Sequence, residues 1–312
     1  MNRTLLMAMS LSCAAVMAAN GLSAGPAVAP AAPTSARASK PTERPKYRPV
    51  TSQQAQANHA RLIASFERIK KEITPDFHSF ETPHFWVYSG WDDSTDKEFG
   101  DVLEKLYGAL CRQFDIPERD NIWAGKCGIF FFKDPDHFKK FAGYADKPDL
   151  EKSAGYYCHE GRSALAYIVL APTGRKEAFY EVLAHEGTHA FLSRFLNDRR
   201  LTLWVEEGMA EFTAALLVKN SGASRKLQSA LGEARKGKDP SPVFETVGLE
   251  RFDYGVAQGF VAFLIARDVS AFRKFVIDMK EGKSEADALK DSYGWTREDM
   301  LKAWKAAIGA KR

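Results

Sequence analysis

Several features that mark common protein classes are missing from this sequence. Beyond the first 24 residues no apolar run approaches the roughly 20 residues that a membrane-spanning helix needs. Basic and acidic residues nearly balance, at 44 and 40, and no long basic stretch occurs, so nucleic-acid binding has no support. Only four cysteines are present, and none has the spacing of a zinc site. These absences favour a soluble globular protein with no membrane span and no nucleic-acid partner.

The N-terminal residues have the layout of an export signal. One Arg precedes an apolar stretch of about 15 residues, followed by small residues, so residues 1–24 are interpreted as a signal peptide, with cleavage after Ala19 or Ala24. Cys13 lies in a poor lipobox, so a lipid anchor there is not expected. We therefore expect an exported protein, periplasmic or extracellular.

The rest of the chain divides by composition. Residues 25–50 are rich in Pro and Ala and cannot bury enough apolar surface to fold, which predicts a disordered linker. Residues 51–80 are interpreted as a packing helix and connection, because Leu62, Phe66, Ile69 and Ile73 have helical spacing and Pro75 must end the helix. Residues 81–312 then form the main domain.

The main domain begins with strands and ends with helices. Strands are predicted at 84–89, 128–132, 155–158 and 164–170, and a capping box of Thr95 and Glu98 predicts the start of an amphipathic helix. From about residue 200 onward only helices are predicted, with starts near 203, 253, 284 and 296. This order predicts an α+β fold, with a small mixed sheet in the N-terminal half and a mostly helical C-terminal half.

Three cysteines follow the leader in a compartment that permits disulfides. Cys111 lies on an apolar helical stripe and Cys127 adjoins a strand, so both suit burial as small apolar side chains. Cys158 is compatible with a disulfide or with a buried thiol. One bridge with one free thiol and three separate buried thiols both remain open.

The strongest chemical signal is H-E-x-x-H within the helical stretch AFYEVLAHEGTHAFLSRF. His185 and His189 are four residues apart, so both imidazoles lie on one face of the helix and can bind one zinc ion. Glu186 lies beside that face, where it can take a proton from a water that attacks a carbonyl. The bland alternative is a pair of core histidines on an amphipathic helix.

A catalytic zinc site needs a third protein ligand, and no histidine follows His189. Phe195 occupies the place where the metzincin pattern requires a histidine, which excludes that class. A carboxylate must therefore complete the site. The segment WVEEGMAEF offers Glu206 and Glu207, which point about 100° apart on a helix.

With H-E-x-x-H followed by E-E-G, the sequence resembles the gluzincins, zinc metallopeptidases whose third ligand is a downstream Glu. The chain from residue 84 to 308 resembles the peptidase MA-like domains of exported bacterial proteins, including the branch known as domain of unknown function 1570. HFWVYS, CGIFFFKDPDHF, GFVAFLIARD and ALKDSYGWTREDMLKAW carry this looser part of the resemblance. It implies a zincin-like fold and peptidase activity, but the G-A-M-E-N signature of aminopeptidases is missing.

The resemblance also implies roles for individual residues. Glu207, directly before Gly208, corresponds to the zinc-binding Glu. Glu211, one turn further, corresponds to the acidic residue that orients a metal-bound imidazole, although it also suits a solvated helix face. Aminopeptidase-type gluzincins stabilise the oxyanion with a downstream Tyr, which favours Tyr254 over Tyr293; a half-buried core tyrosine is the alternative.

A substrate-binding strand is also expected. In zincins, the strand that leads into the metal helix borders the cleft and can pair with an extended peptide, which here points to residues 164–170. Tyr156, Tyr157, His159 and Arg162 precede it and either line the substrate side or form a surface hairpin.

Two functions follow from these residues. The first is zinc-dependent hydrolysis of peptide bonds in a peptide or protein substrate, with Glu186 as general base. The second is a zinc-stabilised binding protein of the cell envelope that holds a peptide without cutting it. The intact Glu186 favours the first, because a protein that only binds needs no base.

Overall fold

A computed structural model describes residues 47–144 and 153–309. The predicted signal peptide, Cys13 and all but the last four residues of the predicted linker lie outside the described residues. Within the described ranges, no helix combines the length and apolar character needed to cross a bilayer.

The described residues form ten α-helices and five strands. The helices of the N-terminal half are α1 (Ser52–Glu72), α2 (Asp93–Phe114), α3 (Pro135–Tyr144) and α4 (Lys176–Arg194). The strands are β1 (His78–Glu81), β2 (Phe85–Ser89), β3 (Cys127–Phe131), β4 (Gly155–Glu160) and β5 (Leu165–Leu170). The C-terminal half contains α5 (Leu203–Leu217), α6 (Gly222–Arg235), α7 (Arg251–Arg267), α8 (Val269–Lys280), α9 (Glu285–Tyr293) and α10 (Arg297–Ala307). This is the α+β arrangement that the order of the elements predicts.

The strands form one mixed sheet in the order β1-β2-β3-β5-β4. The central pairs β2–β3 and β3–β5 are parallel, whereas the outer pairs β1–β2 and β4–β5 are antiparallel. β4 is therefore an edge strand, and β5 is enclosed between β3 and β4. Sequence reasoning assigned the peptide-pairing edge to residues 164–170; that prediction is wrong, because both sides of β5 are already paired.

Both faces of the sheet are covered, because successive side chains of each strand point to opposite faces. On β3, Phe130 packs with residues of α1 and α3 in one apolar cluster. Ile129 and Phe131 pack on the other face, in the cluster that also contains α2, α4 and the C-terminal helices. Helix α4, which carries His185 and His189, is thus supported by the sheet on one side and by the helical half on the other.

Close packing of the helical half positions α5, the helix that carries Glu206 and Glu207. A Cβ atom added to Gly208 on α5 would lie 2.5 Å from the backbone oxygen of Ala257 on α7. Only glycine fits at such a close backbone approach. Gly208 therefore lets α7 support α5 immediately beside Glu207.

The boundaries of several elements differ from the sequence predictions. α2 begins at Asp93 with Asp92 as its N-cap, three residues before the predicted cap at Thr95, because the Asp92 carboxylate already accepts the backbone N–H of Thr95. β1, which pairs with β2, was not predicted. The helical region predicted from about residue 200 is confirmed, but no start had been assigned within it for α6 or α8. β1 extends the sheet into the segment interpreted as a connection.

Cys111, Cys127 and Cys158 are all buried, and none of the three forms a disulfide within the described residues. Burial raises the pKa of the Cys127 thiol, so it stays protonated. Of the two arrangements left open by the sequence, the described residues show three separate thiols.

Candidate metal centre

Helix α4 presents two imidazoles on its cleft-facing side. The Nε2 atoms of His185 and His189 lie 3.2 Å apart. The opposite side of the helix is anchored in the core by Leu183, Ala184 and Phe191, all of which are buried. The four-residue spacing therefore aims both rings at one point while the rest of the helix is held by packing.

Glu207 approaches the same point from α5. Its Oε2 atom lies 3.3 Å from Nε2 of His185, and its Oε1 atom lies 3.6 Å from Nε2 of His189. Oε2 is buried and makes no hydrogen bond within the described residues. For metal–ligand bonds of about 2.0–2.1 Å, tetrahedral geometry places neighbouring donor atoms about 3.3 Å apart. The three side chains thus have the spacing of a shared metal ion.

Glu206 is held away from this point. Its carboxylate accepts a hydrogen bond from the backbone N–H of Leu201 at 2.8 Å and one from Nη2 of Arg200 at 3.1 Å. Of the two adjacent carboxylates, only Glu207 belongs to the group with the two histidines. The separation follows from the helix, in which adjacent residues point about 100° apart.

Glu211 lies behind His185, one helical turn after Glu207. One of its oxygens is 3.3 Å from Nδ1 of His185 and also accepts a hydrogen bond from Nζ of Lys226. An acceptor at Nδ1 leaves Nε2 of the same ring available to a metal. Sequence reasoning missed Lys226, which lies on α6, because no local pattern connects it to Glu211.

The carboxylates dominate the electrostatics of the centre. Burial alone would lower the pKa of His185, but the adjacent carboxylates of Glu207 and Glu211 raise the pKa to about 10. Burial opposes ionisation of Glu207, yet the two histidines hold its pKa well below the usual range. The carboxylates of Glu207 and Glu211 therefore favour a positive charge at this point.

Glu186 and Tyr254 lie near this group. Glu186 is half-buried and forms no hydrogen bond or ion pair among the described residues. Burial raises the pKa of Tyr254 to about 12, with further contributions from Glu207, Glu211 and Glu186. The hydroxyl of Tyr293 instead donates a hydrogen bond to the backbone oxygen of Leu264, near the C-terminal end of α7. Tyr254, and not Tyr293, thus lies close enough for the carboxylates of this group to act on its hydroxyl.

Strand β4 borders the centre on the other side. The ring of Tyr157 stacks on His189, with 5.4 Å between ring centroids. Tyr156 is buried in the cluster on the opposite face, because adjacent strand residues alternate. Arg162 is exposed in the turn between β4 and β5. Of the four residues considered for the substrate side, Tyr157 and His159 share the face of β4 that points towards α4.

A second group that could hold a metal consists of His78, Asp93 and Asp96. Here Nε2 of His78 is 2.5 Å from Oδ2 of Asp96, and the other Asp96 oxygen accepts a hydrogen bond from Ser89. The carboxylates also lie in the first turn of α2, where the helix dipole already stabilises negative charge. Because these partners already stabilise the negative charge of its carboxylates, the second group is a weaker candidate for cation binding than the group around Glu207.

Comparison with known proteins adds no assignment, since no family model and no curated protein matches the chain at a significant level.

Replacement of Glu211 tests its part in the centre. We expect Glu211→Ala to weaken metal affinity by about 10- to 100-fold, because His185 loses the acceptor that orients its ring. Competition with a fluorescent zinc chelator measures this change. Glu177→Ala, an exposed carboxylate on α4, is the control and should bind metal like the wild type. Equal affinity of all three proteins would contradict the role of Glu211.

Proposed function

We propose that this protein is a zinc-dependent peptidase of the gluzincin type, in which Glu186 activates water for hydrolysis of peptide bonds. One observation carries the proposal: two imidazole nitrogens and one carboxylate meet at 3.2–3.6 Å with an unpaired carboxylate, Glu186, next to them. A purely structural cluster has no need of this additional base. The resemblance of H-E-x-x-H and E-E-G to gluzincins supports the same conclusion.

Zinc is the metal best suited to the donor set. His185, His189 and Glu207 supply two nitrogens and one oxygen, and three protein ligands leave one position open for chemistry. Calcium and magnesium prefer all-oxygen sites. A bound zinc ion supplies Lewis-acid chemistry, which polarises a carbonyl and lowers the pKa of water.

The remaining steps belong to the side chains. Glu186 accepts the proton of the attacking water and then transfers it to the leaving amine. The Tyr254 hydroxyl, which makes no hydrogen bond within the described residues, can donate to the carbonyl oxygen as negative charge develops there. Glu211 and Lys226 hold His185 in place.

The edge strand supplies a place for the substrate. The outer edge of β4 has no neighbouring strand in the described sheet, so its backbone N–H and C=O groups can pair with an extended peptide. Because Tyr157 on β4 stacks on His189, a peptide bound along this edge would pass the metal centre. Peptides or unfolded segments of proteins are therefore the proposed substrates, and export through residues 1–24 would place them outside the cytoplasm.

Metal analysis and a cleavage screen test the proposal together. We expect about one zinc per chain after purification without chelator, because three ligands and an oriented imidazole favour tight binding. Cleavage of casein or of quenched fluorescent peptides should stop on chelation and return when zinc is added back. A protein without metal, or one that holds zinc but cuts no peptide in a broad screen, would contradict the proposal.

A further inference from the structure

A cavity of about 400 Å³ lies directly beside the metal centre. Its walls come from β4, α4, the turn at residues 197–200, the start of α5 and the end of α8. Among the lining residues are Tyr157, His189, Ser193, Arg199, Glu206 and Lys280. Tyr157 and His189 also border the metal centre, so a ligand bound at the centre can extend into this cavity.

The floor of the cavity contains a buried ammonium group. Lys280 is 1% exposed, and its Nζ donates to the backbone oxygens of Asn197 at 3.0 Å and Arg199 at 2.6 Å. Within the described residues it forms no ion pair, and two acceptors leave one of its three N–H donors unused. Burial lowers the pKa of Lys280 to about 8, so the group remains mostly charged at neutral pH. The charges of Glu206 and Asp198 oppose this lowering of the pKa, but neither carboxylate forms an ion pair with Lys280. An anionic ligand that accepts the unused hydrogen bond would therefore stabilise the buried charge further.

The other charges of the cavity leave an excess of positive charge. Glu206 is neutralised by Arg200 and by the backbone N–H of Leu201. The guanidinium group of Arg199 forms no ion pair among the described residues, and Asp198 is an exposed carboxylate. Three cationic side chains therefore face two carboxylates. Burial and the nearby Arg194 lower the pKa of His159, which keeps its ring neutral and able to donate a hydrogen bond.

The position of the cavity along β4 connects it to a bound peptide. Tyr157 and His159 are two residues apart on β4 and therefore share one face, which borders the cavity. A peptide paired with the outer edge of β4 would direct every second side chain, or its C-terminal end, to this face. The group of a bound peptide that best complements the cationic side chains of Lys280 and Arg199 is a carboxylate.

We propose that this cavity is a carboxylate-binding subsite in which Lys280 and Arg199 recognise an acidic group of the peptide substrate. The inference rests on the proposed peptidase function, because the peptide must lie along β4. The carboxylate has two sources, an Asp or Glu side chain or the free C-terminus. Both would form charge-assisted hydrogen bonds with the same two cations.

Binding measurements test the subsite separately from catalysis. Zinc-loaded Glu186→Gln protein serves as the background, so that peptides are not cut. The probes are fluorescein-labelled extended peptides in matched pairs, with Glu or Gln at one position and with a free or amidated C-terminus, followed by fluorescence anisotropy. In one of the two pairs, we expect the acidic peptide to bind about 10- to 100-fold more tightly than its neutral counterpart. This is the effect on affinity that a hydrogen bond between charged groups typically has. The preferred pair identifies the source of the carboxylate.

Three variants in this background assign the preference to its residues. Lys280→Met and Arg199→Gln should each reduce the preference at least severalfold, whereas Lys274→Met, which removes a cation of α8 that lies outside the cavity wall, should retain it. Arg199 is exposed, so its replacement is informative even if Lys280→Met does not fold. Equal binding of acidic and neutral peptides, no binding of any peptide, or a preference that survives both replacements would overturn the subsite. Cleavage of neutral peptides alongside any of these results would leave the peptidase proposal intact.

Discussion

Glu186→Gln is expected to abolish peptide hydrolysis while the metal stays bound. The amide has nearly the size of the carboxylate but cannot accept the proton of the attacking water, and general-base catalysis contributes about 10²- to 10⁴-fold to rate. Because Glu186 is not one of the three side chains that converge, its loss should leave zinc content unchanged. Initial rates on a quenched peptide, normalised to zinc content, measure both effects.

A matched control on the same helix is Glu177→Gln, which changes an exposed carboxylate in the first turn of α4. It should behave like the wild type. If Glu186→Gln cut peptides at the wild-type rate, Glu186 would not be the base. A different outcome is that the wild type and Glu186→Gln both hold zinc and bind peptide without cutting it. That result would identify the peptide-binding protein that the sequence also allowed.

Removal of any one of the three converging side chains is expected to strip the metal. His185→Ala, His189→Ala and Glu207→Ala each leave two ligands, so affinity should fall by more than the roughly 10- to 100-fold typical of a lost outer-shell partner. Elemental analysis after dialysis against a weak chelator measures the loss. Circular dichroism shows whether each variant remains folded.

Glu206→Gln is the control for the ligand set. It alters the carboxylate adjacent to Glu207, but its partners are Arg200 and Leu201 rather than the histidines. We expect this variant to retain zinc. Loss of zinc in Glu206→Gln together with retention in Glu207→Ala would contradict the assignment of Glu207.

Some expectations failed where contacts between distant segments decide the structure. The strand at residues 164–170 reads as a possible edge strand, yet pairing with both β3 and β4 encloses it. Strand order depends on how separate hairpins and crossovers assemble, which local patterns do not encode. The start of α6 was not assigned within the predicted helical region, because Gly222 at its start and Gly232 within it weaken the helical signal.

The neighbours of the metal centre illustrate the same limit. Lys226 is 15 residues from Glu211, and Lys280 is 81 residues from Arg199. No spacing rule connects residues at such separations. Lys226 reaches Glu211 because α6 packs beside α5, and Lys280 reaches the turn at 197–200 because α8 ends beneath it.

The sequence by itself determined the features that depend on local periodicity and on counting. Two histidines four residues apart on a helix must share a face, and with no later histidine the predicted third ligand has to be a carboxylate. The order of strands before helices likewise determined the α+β class. The resemblance to gluzincins had favoured Glu207, and tertiary structure places its carboxylate beside the histidines and holds Glu206 away. Tertiary structure alone decided that β4 forms the edge of the described sheet and that a cationic cavity adjoins the centre. These features depend on the relative placement of whole helices and strands, which results from burial of apolar surface across the molecule and not from the spacing of nearby residues.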